Sequence, residues 1–122
     1  MLLNDFFTIQ KIDTTDTEIK ALLVINAVHK IFEGHFPGQP VVPGVCMIQM
    51  VKEILETVTG RATNLVKAPE IKFLVIIDPT QNNIIGAELK YKPEENGNMN
   101  ITAILSKGET IYFKFKGLFH FL

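Results

Sequence analysis

The sequence predicts an α+β fold, a strongly curved antiparallel sheet of about six strands wrapped around one long central helix. Three observations carry that expectation. Only Gly44 to Thr59 sustains helical periodicity, with Met47, Val51, Ile54 and Val58 on one face and Ile48 and Leu55 beside them. Everything beyond Lys67 instead reads as strand, and from Ile85 onward its runs alternate apolar and polar residues at every second position, the period of half-buried strands. A helix that is apolar on most sides cannot lie on a sheet with its back to water, so the sheet has to wrap it.

Taken in order, Phe7 to Ile12 and Glu18 to Val28 supply one or two strands before the helix. Gly60 is placed to end the helix. Ile71 to Ile77 is more uniformly apolar, as expected of a strand covered on both faces. Ile85, Ala87, Leu89 and Tyr91 then alternate with Gly86, Glu88, Lys90 and Lys92. The same period runs through Met99, Ile101, Ala103 and Leu105, and again through Ile111, Phe113 and Phe115, which alternate with Tyr112, Lys114 and Lys116. Glu94-Glu95-Asn96-Gly97 and Ser106-Lys107-Gly108-Glu109 carry turn chemistry between these runs, which makes an antiparallel meander. No repeat or linker interrupts the chain, and residues 1–122 read as a single domain.

Composition narrows the function classes. With 47% hydrophobic and 20% charged residues the 122-residue chain is an ordinary globular sequence, long enough to bury a modest core. A net charge of −1 provides no overall field for nucleic acid or an anionic membrane, so neither is an expected partner. Met1 to Lys11 lacks the basic and apolar regions of a secretory signal, and no run approaches bilayer-spanning length. The single cysteine, Cys46, fits a reducing compartment, and a cytoplasmic location is expected. Cys46 itself reads as a small buried apolar residue, although its place in the first helical turn would stabilise a thiolate. His29 and His120 lie in apolar strand-like surroundings without ligand-spaced partners, so no metal site is expected. Phe113, Phe115, Phe119 and Phe121 read as packing residues.

The stretch Gly34-His35-Phe36-Pro37-Gly38-Gln39-Pro40-Val41-Val42-Pro43-Gly44-Val45 is built differently from the rest. Each proline fixes its own φ and pushes the preceding residue toward extended backbone, which makes the loop stiff. Gly38 and Gly44 permit tight turns or the close approach of a ligand. The helix start at Pro43-Gly44-Val45 leaves unpaired N–H groups and the positive dipole end beside His35. A histidine there can act as a base near neutral pH while the helix end polarises a carbonyl, though such a pairing is also common without function.

These residues resemble the His-Phe-Pro-Gly-x-Pro-Val-x-Pro-Gly-Val signature of the 3-hydroxyacyl-acyl-carrier-protein dehydratases of the hot-dog fold. Ala27 to Gly34 resembles the family's lead-in, and Glu70-Ile71-Lys72-Phe73 its Val-Lys-Phe strand, followed by Pro79. The resemblance implies dehydration of a 3-hydroxyacyl thioester to the trans-2-enoyl thioester in fatty-acid or related acyl-chain synthesis, with no metal or redox cofactor. The substrate would be carried on the phosphopantetheine of acyl carrier protein or CoA. His35 would remove the α-proton, N–H groups of Gly38 and Val45 would hold the thioester carbonyl, and Phe36, Pro43 and Gly44 would complete the binding loop. It implies a homodimer with sheets joined edge to edge, or a hexamer formed as a trimer of dimers, with the acyl chain at the subunit interface.

Two positions depart from that pattern. The helix carboxylate expected opposite the histidine falls at Gln49, whose amide cannot exchange a proton at neutral pH. Glu53 stands one turn further along, on the same face, and is the candidate substitute, although Gln49, Lys52, Glu53 and Glu56 also fit an ordinary solvated helix face. Where family members follow Lys-Phe with two arginines, this chain has Leu74-Val75-Ile76, so carrier docking would fall to Lys67, Lys90 or Lys92. The alternatives are a non-catalytic subunit that binds acyl thioesters, a heterodimer with a glutamate-bearing paralogue, and a hot-dog thioesterase.

Overall fold

The computed structural model describes residues 1–34 and 38–122. Its elements are β1 (Phe7–Thr14), β2 (Glu18–Ile25), a short α1 (Ile31–Gly34), α2 (Gly44–Thr59), β3 (Thr63–Phe73), β4 (Ile84–Pro93), β5 (Met99–Lys107) and β6 (Thr110–Phe121). The strands form one six-stranded sheet in the order β1-β2-β4-β5-β6-β3, antiparallel at every pairing. One sheet face meets α2.

The alternation read from the sequence decides which residues turn inward. Ile85, Ala87 and Leu89 of β4, Ile101, Ala103 and Leu105 of β5, and Phe113, Phe115 and Phe119 of β6 are all buried. They form one core with Met47, Met50, Val51, Ile54 and Leu55 of α2. A three-ring stack, Phe73 on Phe113 on Phe115 with centroids 5.2 and 5.9 Å apart, crosses from the end of β3 into this core. The helix ends where Gly60 donates its N–H to the Glu56 carbonyl.

Three local expectations are corrected. The apolar run Ile71 to Ile77 is not a strand covered on both faces: β3 begins at Thr63 and stops at Phe73. It is the edge strand, and Ile71, Phe73, Leu74, Val75 and Ile76 are exposed. A mostly apolar run signals burial, but among the described residues nothing covers that edge. Pro69, which has no N–H to donate, sits within β3 where the pairing with β6 shifts register between Lys67 and Glu70, as an edge strand allows. Second, β2 ends at Ile25 rather than Val28, and a turn leads into α1, which the sequence did not announce. Third, Tyr112 is buried instead of alternating outward. A bulge between Leu105 and Ser106 shifts the register there, and the Tyr112 carbonyl accepts the N–H groups of Leu74 and Val75.

Candidate active site

The proline-rich loop reaches the helix under tight constraint. Pro43 stands at the N-cap with extended backbone (φ −63°, ψ 145°) and provides no side-chain cap. Its carbonyl accepts the N–H groups of Cys46 and Met47 at 3.0 and 3.3 Å. Gly44 and Val45, as the first helical residues, have N–H groups with no preceding turn to bond. Val42 is tied down by donating its N–H to the Ile77 carbonyl at 2.9 Å. Gly38 turns the chain with φ +83°, a conformation that side chains disfavour.

Gly44 serves a different end. A Cβ there would lie 2.6 Å from the tip of the Phe73 ring, so the close approach made at this glycine is by a side chain of the edge strand. Beside that contact lies a cavity of about 290 Å³, walled by Val41, Val42, Gly44 and Met47 on one side and by Phe73, Leu74, Val75 and Ile76 on the other. Its wall is largely hydrocarbon, and it touches the first turn of α2, an arrangement suited to an apolar chain with a polar head. The residues that stand where arginines were expected therefore line the cavity.

The sequence-derived site residues fall into three groups. His35 and Phe36 lie outside the described residues. Pro43, Gly44 and Val45 lie at the helix start, with Gly44 in the cavity wall and the Val45 side chain 75% exposed, and Gly38 lies six residues before Gly44 in the loop. Gln49 and Glu53 form a separate group. Gln49 is two residues past Met47, about 200° around the helix at the usual residues per turn, and so points away from the cavity that Met47 lines.

Glu53 is not on a solvated face. It is 1% exposed, and its carboxylate accepts the N–H of Leu2 at 2.9 and 3.0 Å and that of Leu3 at 2.8 Å. The Gln49 amide donates from Nε2 to Glu53 Oε2 at 2.8 Å. Burial alone would raise the Glu53 pKa, but the backbone N–H groups and the Gln49 amide outweigh it and hold the carboxyl below its usual range. Glu53 is thus an ionised anchor for the start of the chain. Spacing along the helix showed that residues 49 and 53 share a face; it could not show that Leu2 and Leu3 fold over it.

Other groups are settled by their surroundings. Cys46 is 4% exposed, and burial pushes its thiol pKa up, against a thiolate. His29 lies in the turn before α1 rather than in a strand. Its Nδ1 accepts the Ile31 N–H at 3.1 Å, so the ring proton sits on Nε2, which donates to Asp5 Oδ2 at 3.1 Å. This bond shapes the segment that leads into the His35 loop. Lys67 is on β3, whereas Lys90 and Lys92 are on β4, with β5 and β6 between those strands, so the three cations do not form one patch.

Comparison with known proteins gives a consistent picture. The chain is 34% identical over 107 residues to 3-hydroxyacyl-acyl-carrier-protein dehydratase FabZ of Verminephrobacter eiseniae, covering 84% of this chain and 65% of that protein. It is 28% identical over 99 residues to FabZ of Ralstonia nicotianae, covering 80% of this chain and 56% of that protein. It thus spans between about half and two thirds of the length of these relatives. Among solved structures, the dehydratase heterocomplex ApeI:P from Xenorhabdus doucetiae shares the hot-dog fold at a TM-score of 0.73 and 20% identity, with 91% of this chain and 95% of that chain covered. The family model described as ApeI dehydratase matches residues 11–114, from within β1 into β6. The chain therefore belongs to the ApeI-like dehydratase family.

Proposed function

We propose that the protein binds and dehydrates 3-hydroxyacyl thioesters carried on phosphopantetheine, giving trans-2-enoyl thioesters in acyl-chain synthesis. The observation that carries this reading is family membership together with an unbroken signature from His35 to Val45. In this reaction His35 takes the α-proton, the Cβ–O bond breaks, and the proton carried on His35 passes to the departing hydroxyl, which leaves as water. The N–H groups of Gly38 and Val45 receive the charge that develops on the thioester oxygen. The steps are proton transfers and a leaving-group departure, so they call for neither a metal nor a redox group. The apolar cavity beside Gly44 takes the first part of the acyl chain, and the exposed β3 edge joins a second subunit whose α2 brings position 49 to the reacting atoms.

The test is turnover of 3-hydroxyacyl thioesters, on CoA and on carrier protein, by wild type, His35→Ala and Gln49→Glu. Wild-type turnover that disappears in His35→Ala supports the reading. Binding without enoyl product, with turnover gained in Gln49→Glu, identifies a thioester-binding subunit that lacks its acid. Absence of binding to either thioester overturns the proposal.

A second reading is favoured by Gln49 itself, which has no proton to deliver. In a heterodimer with a glutamate-bearing paralogue, His35 here would meet the partner's carboxylate and complete one site. Co-expression with such a paralogue tests this: activity no greater than that of the paralogue alone rejects it.

A further inference from the structure

We infer that Glu53 is a positioning residue that fixes the polarity of the Gln49 amide, so that Gln49 offers its carbonyl oxygen as a hydrogen-bond acceptor and selects ligands bearing a hydroxyl. This role rests on the proposed reading that position 49 meets the acyl thioester.

An ionised Glu53 can only accept hydrogen bonds, and its oxygens already receive Leu2 and Leu3 N–H groups in a buried setting. The end of the Gln49 amide that faces it must therefore be Nε2, and the 2.8 Å contact is made by that atom. Turning the amide over would set Oε1 against a carboxylate oxygen, two acceptors in contact with no proton between them. With Nε2 committed, Oε1 projects from the other side of the amide. Among the described residues no donor engages it. Gln49 is half-buried, so its free end reaches the surface of α2 and not the core.

A fixed acceptor discriminates by chemistry. The 3-hydroxyl of a hydroxyacyl thioester can donate to Oε1, whereas the 3-carbonyl oxygen of a 3-oxoacyl thioester of the same length can only accept and sets two acceptors against each other. The bond is made in the ground state and transfers no proton, so its effect is on affinity and KM. A helix with Gln49 but an apolar residue at 53 would let the amide turn either way, so that Nε2 could serve a 3-oxo group as well as Oε1 serves a hydroxyl, and would lose that selection.

The test uses the full chain and matched 3-hydroxyacyl-CoA and 3-oxoacyl-CoA of one length. Wild type is expected to prefer the hydroxyacyl ligand by about tenfold, the scale of one neutral hydrogen bond. Glu53→Gln, whose own amide can turn its NH2 toward Gln49 and let that side chain present Nε2 instead, should bring the preference below about twofold by raising affinity for the 3-oxoacyl ligand. If Glu53→Gln does not fold, the Gln49 side-chain amide resonance of 15N-labelled wild type decides: a shift that follows the Glu53 carboxylate as pH is lowered supports the contact, and independence of it overturns the inference. Retention of the wild-type preference in folded Glu53→Gln, or equal binding of both ligands by wild type, also overturns it while leaving the proposed function standing. If wild type binds neither ligand, both fall.

Discussion

Glu53 shows how a residue's role depends on what folds over it. On the helix it is one of four polar residues that read as a water-facing strip; in the fold, Leu2 and Leu3 close over it and donate their N–H groups. Removing a buried acceptor strands its donors, so Glu53→Ala should cost about 1–3 kcal/mol at neutral pH, measured by urea unfolding. The pH dependence has a definite sign. The folded pKa is lowered from the ordinary 4.5, so the carboxylate's contribution is complete above that value and is lost as pH falls below it toward the folded pKa. The stability gap between wild type and Glu53→Ala should narrow over that acid range; a gap independent of pH would contradict an ionised anchor. The same pair shapes the outcome at position 49. In Gln49→Glu, the introduced carboxyl would contact one that backbone N–H groups keep ionised, so the proton stays on the new side chain and its pKa rises. The expected result is a general acid, seen as an alkaline limb of the pH–rate profile lying well above the usual carboxylate range.

At the scale of elements, the start of α2 and the end of β3 are fitted to each other through one ring. Gly44 occupies a first-turn helix position where alanine would be favoured by at most about 1 kcal/mol, yet its missing Cβ is the space in which the Phe73 ring tip lies. Gly44→Ala should displace that ring from its stack on Phe113 and lower the melting temperature, despite the better helix propensity. In a Phe73→Ala background the same substitution should be neutral or stabilising, by up to about 1 kcal/mol. Additive effects of the two substitutions in a double-mutant cycle would exclude the coupling. The pairing also places the cavity, since Phe73, Leu74, Val75 and Ile76 face Val41, Val42 and Met47 across it.

For the whole molecule, the unmet demand is the β3 edge. Val66 is 55% and Ile76 61% exposed, on or just beyond a strand that, among the described residues, has a partner on one side only. Natural edge strands are usually blunted by charge or covered, and contiguous exposed apolar surface marks an interaction site. Val66→Lys combined with Ile76→Lys should leave far-UV circular dichroism unchanged and shift the sedimentation of the chain from dimer or larger to monomer. A monomeric wild type at micromolar concentration would contradict the covered edge.

The sequence by itself determined the periodic parts of this protein. The strands β4, β5 and β6, the span Gly44–Thr59 and its inward stripe follow from periods of two and 3.6 residues, which are local properties of the chain. The loop signature was legible for the same reason: its spacing is contiguous. The tertiary structure alone decided what depends on contact between distant segments. It placed Leu2 and Leu3 on Glu53, set Phe73 into the gap at Gly44, and left the apolar run after Ile71 at an open edge. A one-dimensional pattern states how much apolar surface must be covered and on which face; which partner covers it, or satisfies a buried charge, is fixed only when the chain closes on itself.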